Sequence, residues 1–311
     1  MCSIAADEAQ FRLPEDGNTY TAEIIDRCLD LIFHGIWSGI DQMRLRRWFA
    51  NFCTDEEKYF AACILDSLIY RSEDQTISLI WHLFQRILPD LIRYDSSPIG
   101  DTIDWQNALK RESSATDPLI RLVTVVRRSD PPTKSAYVIA RLMKRHLFID
   151  ERWIIKPWEV SDKIKQGVKI FLFIDDFLGT GDQFTSFFKS EDLVKQLPHI
   201  YAAYVPLVAH QTGVKHLRDT FSGLRVTSVE TLDDSHNIFG NDSSCFKDGT
   251  NTPDIAKQFY YELLRTRKMF ISETGYGDLG LTYAFSHAAP DNCLPLLWWP
   301  HAVSWSPLFD R

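Results

Sequence analysis

One stretch constrains the chain more than any other: Phe171-Leu172-Phe173-Ile174-Asp175-Asp176-Phe177-Leu178-Gly179-Thr180-Gly181-Asp182-Gln183. An apolar run ending on two acids, followed by a glycine-rich turn that opens a helical pattern, is the grammar of a buried parallel strand with polar groups at its carboxyl end. Open α/β sheets bind their ligands at that edge. Glycine lets a backbone approach a ligand closely, and the unbonded amides of a helix start suit an anion through both hydrogen bonds and the dipole. Leu178, Gly179, Thr180, Gly181, Asp182 and Gln183 are therefore the candidate phosphate cradle. Asp175 and Asp176 can accept from vicinal sugar hydroxyls, or hold Mg2+ directly or through water, since that ion keeps oxygen ligands and several waters.

The surrounding sequence supplies the rest of such a sheet. Short apolar runs at 119–126, 168–174, 200–208 and 224–229 alternate with helical patterns near 135–147, 184–196 and 212–221, which predicts a parallel sheet covered by helices. Ahead of it the spacing is helical throughout. Ile24, Ile25, Cys28, Leu29 and Ile32 form one stripe, Phe60, Cys63, Ile64, Ser67 and Leu68 a second, and Ile77, Ile80, Trp81, Phe84 and Leu88 a third. Thr54 and Glu57 make a capping box before the second stripe. The tracts 94–101 and 111–118, rich in Ser, Asp, Pro and Thr, read as a linker around a short segment at Trp105. A length of 311 residues lies where single cores divide. The expected organisation is an α-helical domain over 1–110 and an α/β domain over 111–311, the latter holding a tail with a helix at 253–268 and a strand near 280–286.

Charge and cysteine usage bound the partners. Lys and Arg number 34 against 42 Asp and Glu, a net charge of −8, which gives no support for non-specific attraction to nucleic acid or to an anionic membrane. No sequence-specific nucleic-acid binding is expected. Six cysteines stand apart without a C-x-x-C pair, which suits reduced thiols and a cytoplasmic location. The first twenty residues do not look like a signal peptide, and no apolar run reaches a membrane-spanning length.

Two further groups are secondary candidates. Asp234 and His236 follow the 224–229 run at a carboxyl edge and could form a metal or base cluster, although acidic loops are commonly just solvated. In the tail, Tyr276, Asp278 and Asn292 could hood a ligand, with aromatic rings stacking on a base. Their plainer reading is architectural, with Asn292 satisfying buried backbone groups. Arg44, Arg46 and Arg47 beside Trp48 and Phe49 could meet a protein partner through the helical domain, or be ordinary helix-surface charge.

The acidic stretch resembles the signature of the type I phosphoribosyltransferases, with Asp175, Asp176, Thr180 and Gly181 matching position for position. The resemblance implies that the acids contact the ribose hydroxyls of phosphoribosyl pyrophosphate while the loop holds its 5′-phosphate. It also implies that the loop after the 119–126 run, with Arg127, Arg128, Ser129, Thr133, Lys134 and Ser135, faces the pyrophosphate with Mg2+. A transferase of this kind works by positioned electrostatics on an oxocarbenium-like sugar, without a protein nucleophile. The departure is at Asp182 and Gln183, where the family has a small residue and then a hydroxyl-bearing one. A carboxylate ~4 Å from a phosphate is repelled by about 1 kcal/mol even in bulk water, so either Asp182 turns away or the ligand is not an ordinary 5′-phosphate.

With its helical front and its tail Gly275-Tyr276-Gly277-Asp278, Pro290-Asp291-Asn292 and Leu294-Pro295-Leu296-Leu297-Trp298, the chain is also similar to phosphoribosyltransferase-like proteins of bacterial conflict and antiphage operons, some beside retron reverse transcriptases. That resemblance implies a defence effector acting at the anomeric carbon of a phosphoribosyl or nucleotide ligand. The alternative is a catalytically inactive nucleotide sensor or assembly subunit of a multi-protein complex.

Overall fold

The structure, a computed structural model, describes residues 10–94, 105–110, 117–131, 134–247, 249–269, 274–299 and 305–310. Thr133 and most of the two linker tracts lie outside the described residues.

The chain begins with α1 (Gly17–Phe33), α2 (Gln42–Phe49), α3 (Asp55–Asp66) and the short strand β1 (Ile69–Arg71). Next come α4 (Glu73–His82), a π-helical turn (Leu83–Ile87), α5 (Leu88–Tyr94) and α6 (Trp105–Ala108). Strand and helix then alternate: β2 (Ile120–Thr124), α7 (Ser135–His146), β3 (Ile154–Ile155), α8 (Val160–Lys165), β4 (Ile170–Leu178), α9 (Asp182–Ser190), β5 (Tyr201–His210), α10 (Gln211–Thr220), β6 (Leu224–Val226) and β7 (Glu230–Leu232). The last elements are α11 (Pro253–Thr266), β8 (Tyr283–Phe285) and α12 (Pro295–Trp298). None of the described helices is long and apolar enough to cross a membrane.

Contacts divide the chain into two compact units, one of residues 1–73 with 234–311, the other of residues 74–233. The second holds the predicted sheet. Its strands run parallel in the order β3-β2-β4-β5-β6, with β7 pairing the far end of β5. β4 is central, from Ile170 against Ile120 and Tyr201 to Leu178 against Ala209. Successive side chains of a strand face opposite ways. Phe171 and Phe173 lie with Phe184, Phe187 and Phe188 of α9 and Leu217 of α10 in one apolar cluster, each ring removing surface worth ~1.5–3 kcal/mol. The charged residue inside β2 is also accounted for: Arg121 is buried, bonds Asp117 at 2.8 Å, and lies 4.8 Å from the Trp153 ring centre.

The other unit corrects two expectations. The front is not wholly helical, because β1 pairs in parallel with β8, Ile69 opposite Tyr283 and Arg71 opposite Phe285. The tail strand therefore does not belong to the large sheet. An aromatic core ties the front to the tail: Phe11 stacks on Phe259 at 4.5 Å, Phe60 on Phe246 at 5.6 Å, and the Trp48 indole donates to the Leu296 carbonyl at 2.7 Å. Contacts consequently divide at 73/74 and 233/234, not near residue 110. One half of the capping box forms as its spacing predicts, Thr54 Oγ1 accepting from the Glu57 amide at 3.2 Å. The Glu57 carboxylate reaches the Cys53 amide at 2.5 Å, one residue before the cap, and pairs with Arg267 at 2.6 Å.

Candidate functional site

β4 continues past its acids to Leu178, so Asp175 and Asp176 stand within the strand rather than after it and are nearly buried, at 4% and 8% exposure. Strand alternation sends them to opposite faces. Asp175 turns toward the face covered by α9 and α10, where the Tyr204 hydroxyl of β5 donates to its Oδ2 at 3.3 Å. Burial, and then the neighbouring Asp176 charge, push the Asp175 carboxyl well above its ordinary value, and burial does the same to the Tyr204 phenol. Asp176 turns the other way, accepting from Ser135 Oγ at 2.9 Å at the first residue of α7 and from the Phe177 amide at 3.0 Å.

The turn after β4 is pressed against α10. A Cβ on Gly213 would stand 2.1 Å from the Gly179 carbonyl oxygen, so only glycine fits there. Gly181 has φ +92°, a left-handed conformation that a side chain would strain, and a Cβ on it would meet the His216 ring at 2.9 Å. Gly181 is the N-cap of α9 and offers no side chain to the first-turn amides. The helix's bonding starts with Thr185 N donating to Gly181 O at 2.8 Å, which leaves the amides of residues 182–184 outside the ladder. Thr180 Oγ1 donates to Asp182 Oδ2 at 2.8 Å and accepts from the Asp182 amide at 3.4 Å. The carboxylate that departs from the signature is thus folded back onto the Thr180 hydroxyl.

A cleft of about 230 Å³ opens beside this turn, lined by Val125, Arg127, Asp130, Lys134, Gln183 and Phe187. Its place follows from topology. From β2 the chain proceeds outward to β3 on one side, while β4 leads to β5 on the other, and a crevice forms where that order reverses. The Arg127 guanidinium donates to the Gln183 carbonyl at 3.3 Å and its amide to Asp130 Oδ2 at 2.8 Å, which spans the mouth from loop to helix. Arg128 stands elsewhere, 5.0 Å over the Trp158 ring. Ser129 belongs to the same loop and Ser135 binds Asp176. The structure brings Arg127, Lys134 and Gln183 to one cleft, and joins Asp176 to its wall through Ser135, the residue after Lys134.

The secondary candidates all fall in the other compact unit. Asp234 and His236 lie in one helical turn, Asp234 exposed and His236 half-buried, with Ser235 Oγ 3.4 Å from the His236 ring nitrogen. Asp278 accepts from the Thr274 amide at 3.0 Å, and Asn292 donates to the Tyr276 carbonyl at 2.8 Å, contacts that shape the tail's own turns. In the sheet unit itself, His210 at the end of β5 is buried and caps α10, accepting from the Thr212 amide at 3.3 Å.

Among the described residues no three His, Cys, Asp or Glu side chains converge as a metal group. The fit for Mg2+ therefore depends on Asp176, with further oxygens from water and from a ligand, a donor set that ion accepts. Tyr204, Trp158, Val125 and Phe187 were not indicated as site residues by the motif. A tyrosine inside the apolar run of β5 was the available signal, because a buried phenol requires a partner for its hydroxyl.

The central parallel sheet, the twin acids inside its middle strand and the switch-point cleft define a phosphoribosyltransferase-like α/β protein. The chain belongs to the PRTase-CE family, whose model matches residues 45–311, so the family's pattern takes in most of the helical front and the whole tail as well as the sheet. A search of curated proteins finds no match.

Proposed function

We propose that the switch-point cleft binds a ribose 5-phosphate ligand, phosphoribosyl pyrophosphate or a nucleotide, and that the protein acts at its anomeric carbon. The observation that carries this reading is the convergence of Arg127 and Lys134 with the α9 start on one cleft. Two cations and a helix start in a partly enclosed site suit a doubly phosphorylated ligand, each charged hydrogen bond adding ~1.5–3 kcal/mol. Amides 182–184 would hold the 5′-phosphate, Lys134 and Arg127 the pyrophosphate, and Asp176 the sugar hydroxyls. Mg2+ bound between Asp176 and the ligand's oxygens would supply charge neutralisation for a departing pyrophosphate. Lys134 and Arg127 would stabilise the same developing charge, and the buried sheet edge would exclude water from the sugar.

The resemblance to antiphage and retron-associated proteins supports a role as a defence effector, with the helical front meeting a protein partner. A second reading is favoured by a particular contact: Asp182 occupies the Thr180 hydroxyl that a phosphate would use. On that reading the protein senses a nucleotide and relays its occupancy without transfer. The test is incubation of the purified protein with phosphoribosyl pyrophosphate or nucleotides and Mg2+. Released pyrophosphate or free base supports the transferase, stoichiometric binding without release supports the sensor, and absence of both rejects the ligand class.

A further inference from the structure

We infer that the two acids have separate tasks: Asp175 is a positioning residue that fixes the start of α9 through Tyr204 and Phe184, and Asp176 alone meets the sugar. This rests on the ribose-phosphate reading above and divides its machinery differently from the twin-acid signature.

The geometry is a chain of contacts running from Asp175 into the face of the sheet that α9 covers. Asp175 Oδ2 accepts from the Tyr204 hydroxyl at 3.3 Å, and the Tyr204 ring stacks on Phe184 with centroids 3.8 Å apart and planes 20° from parallel. Phe184 is the third residue of α9, within the turn whose amides form the candidate cradle. Its ring also lies 5.3 Å from that of Phe188 and 6.2 Å from that of Phe173, so it is held on several sides. Both Tyr204 and Phe184 are almost wholly buried. A carboxyl in that position is held by the Tyr204 phenol, although the charge of cleft-lining Lys134 also reaches it. Its remaining oxygen, Oδ1, accepts from the amide of Asp176 at 3.1 Å.

Asp176 has the opposite surroundings. Its partner Ser135 directly follows Lys134, which lines the cleft. A hydroxyl is an exchangeable partner, because it can rotate or yield to a ligand hydroxyl without leaving a buried group stranded. The Tyr204 bond cannot be given up so readily, since the buried phenol would lose the acceptor for its hydroxyl inside the packed face.

The experiment titrates the full chain with ribose 5-phosphate and with 2-deoxyribose 5-phosphate by calorimetry, and follows hydrogen exchange in peptides covering 178–190. An acid that grips the sugar confers preference for the ribose, whereas a positioning residue affects both sugars alike. Asp176→Ala, which removes both acceptor oxygens, is expected to reduce the preference to within about twofold of unity. Asp175→Asn, whose amide oxygen can still accept from Tyr204, is expected to keep the wild-type preference while affinity for the two sugars shifts in the same proportion. Tyr204→Phe keeps the stacked ring and should also keep the preference, with faster exchange across the first turn of α9. It reports independently if Asp175→Asn does not fold. Loss of the ribose preference in Asp175→Asn or Tyr204→Phe equal to that in Asp176→Ala overturns the division of tasks. A wild-type protein that binds neither sugar phosphate overturns the ribose-phosphate reading itself, and the inference with it.

Discussion

Thr180 Oγ1 and Asp182 Oδ2 stand 2.8 Å apart across the N-cap of α9, so the carboxylate holds the hydroxyl that the glycine turn presents. On the ribose-phosphate reading proposed above, the contact makes Asp182 an internal competitor for an incoming phosphate.

Replacing Asp182 with serine should therefore have effects of opposite sign. Affinity for phosphoribosyl pyrophosphate should rise about fivefold, on the order of 1 kcal/mol for a carboxylate ~4 Å from a phosphate. Folding stability should fall by ~0.3–1 kcal/mol, because a first-turn acid complements the helix dipole. Calorimetric titration and denaturant melts read the two effects separately.

The cations of the 127–134 loop should be unequal. Lys134 lines the cleft whereas Arg128 lies over Trp158. Lys134→Gln should weaken phosphoribosyl pyrophosphate binding by about tenfold or more and flatten its salt dependence. Arg128→Gln should chiefly lower stability, by ~0.5–1 kcal/mol for a partly exposed cation–aromatic contact. Titrations at two ionic strengths distinguish the pair.

Gly213→Ala should destabilise the protein although alanine is the better helix former. The new methyl would stand 2.1 Å from the Gly179 carbonyl, and overpacking of this kind costs ~1–3 kcal/mol, against a helix-propensity gain of about 1. Thermal melts should show the midpoint falling, with weaker binding of phosphoribosyl pyrophosphate because the turn itself is displaced.

Asp175 should leave a signature in the pH dependence of stability. Its folded carboxyl titrates well above the ordinary value because it is buried beside Asp176. A raised acid contributes stability that is full below the unfolded value, near ~4, and is lost as pH rises toward and through the folded value, at up to ~1.4 kcal/mol per pH unit. Asp175→Asn removes that loss. Its melting temperature should gain on the wild type as pH is raised from 4, and a difference that stays flat with pH would contradict the buried neutral acid.

The sheet was legible because burial on both faces demands continuous apolar runs, and β2, β4 and β5 obey that demand. The tight turn after β4 was legible because glycines at 179 and 181 next to a strand end mark a close backbone approach. What the sequence hid was long-range pairing. β1 and β8 are three residues each and lie more than 200 positions apart, so neither shows a period long enough to announce a partner. The boundary near 110 follows composition, whereas the actual division follows the aromatic core that Phe11, Phe60, Phe246 and Phe259 share across the chain's ends. The facing of the acids was hidden for a different reason. The motif states that two carboxylates are adjacent, and only the extension of β4 to Leu178 places them on opposite faces. Arg128 was indistinguishable from Arg127 by type, and the nearby Trp158 decides where it rests.

The most direct measurement is a calorimetric titration of the full chain with phosphoribosyl pyrophosphate and Mg2+, beside the same titration of Asp176→Asn. Saturable one-to-one binding by the wild type, weakened at least tenfold in the variant while its melting curve stays cooperative, is the predicted result. No heat of binding in the wild type, or equal affinity in the two proteins, would contradict the account.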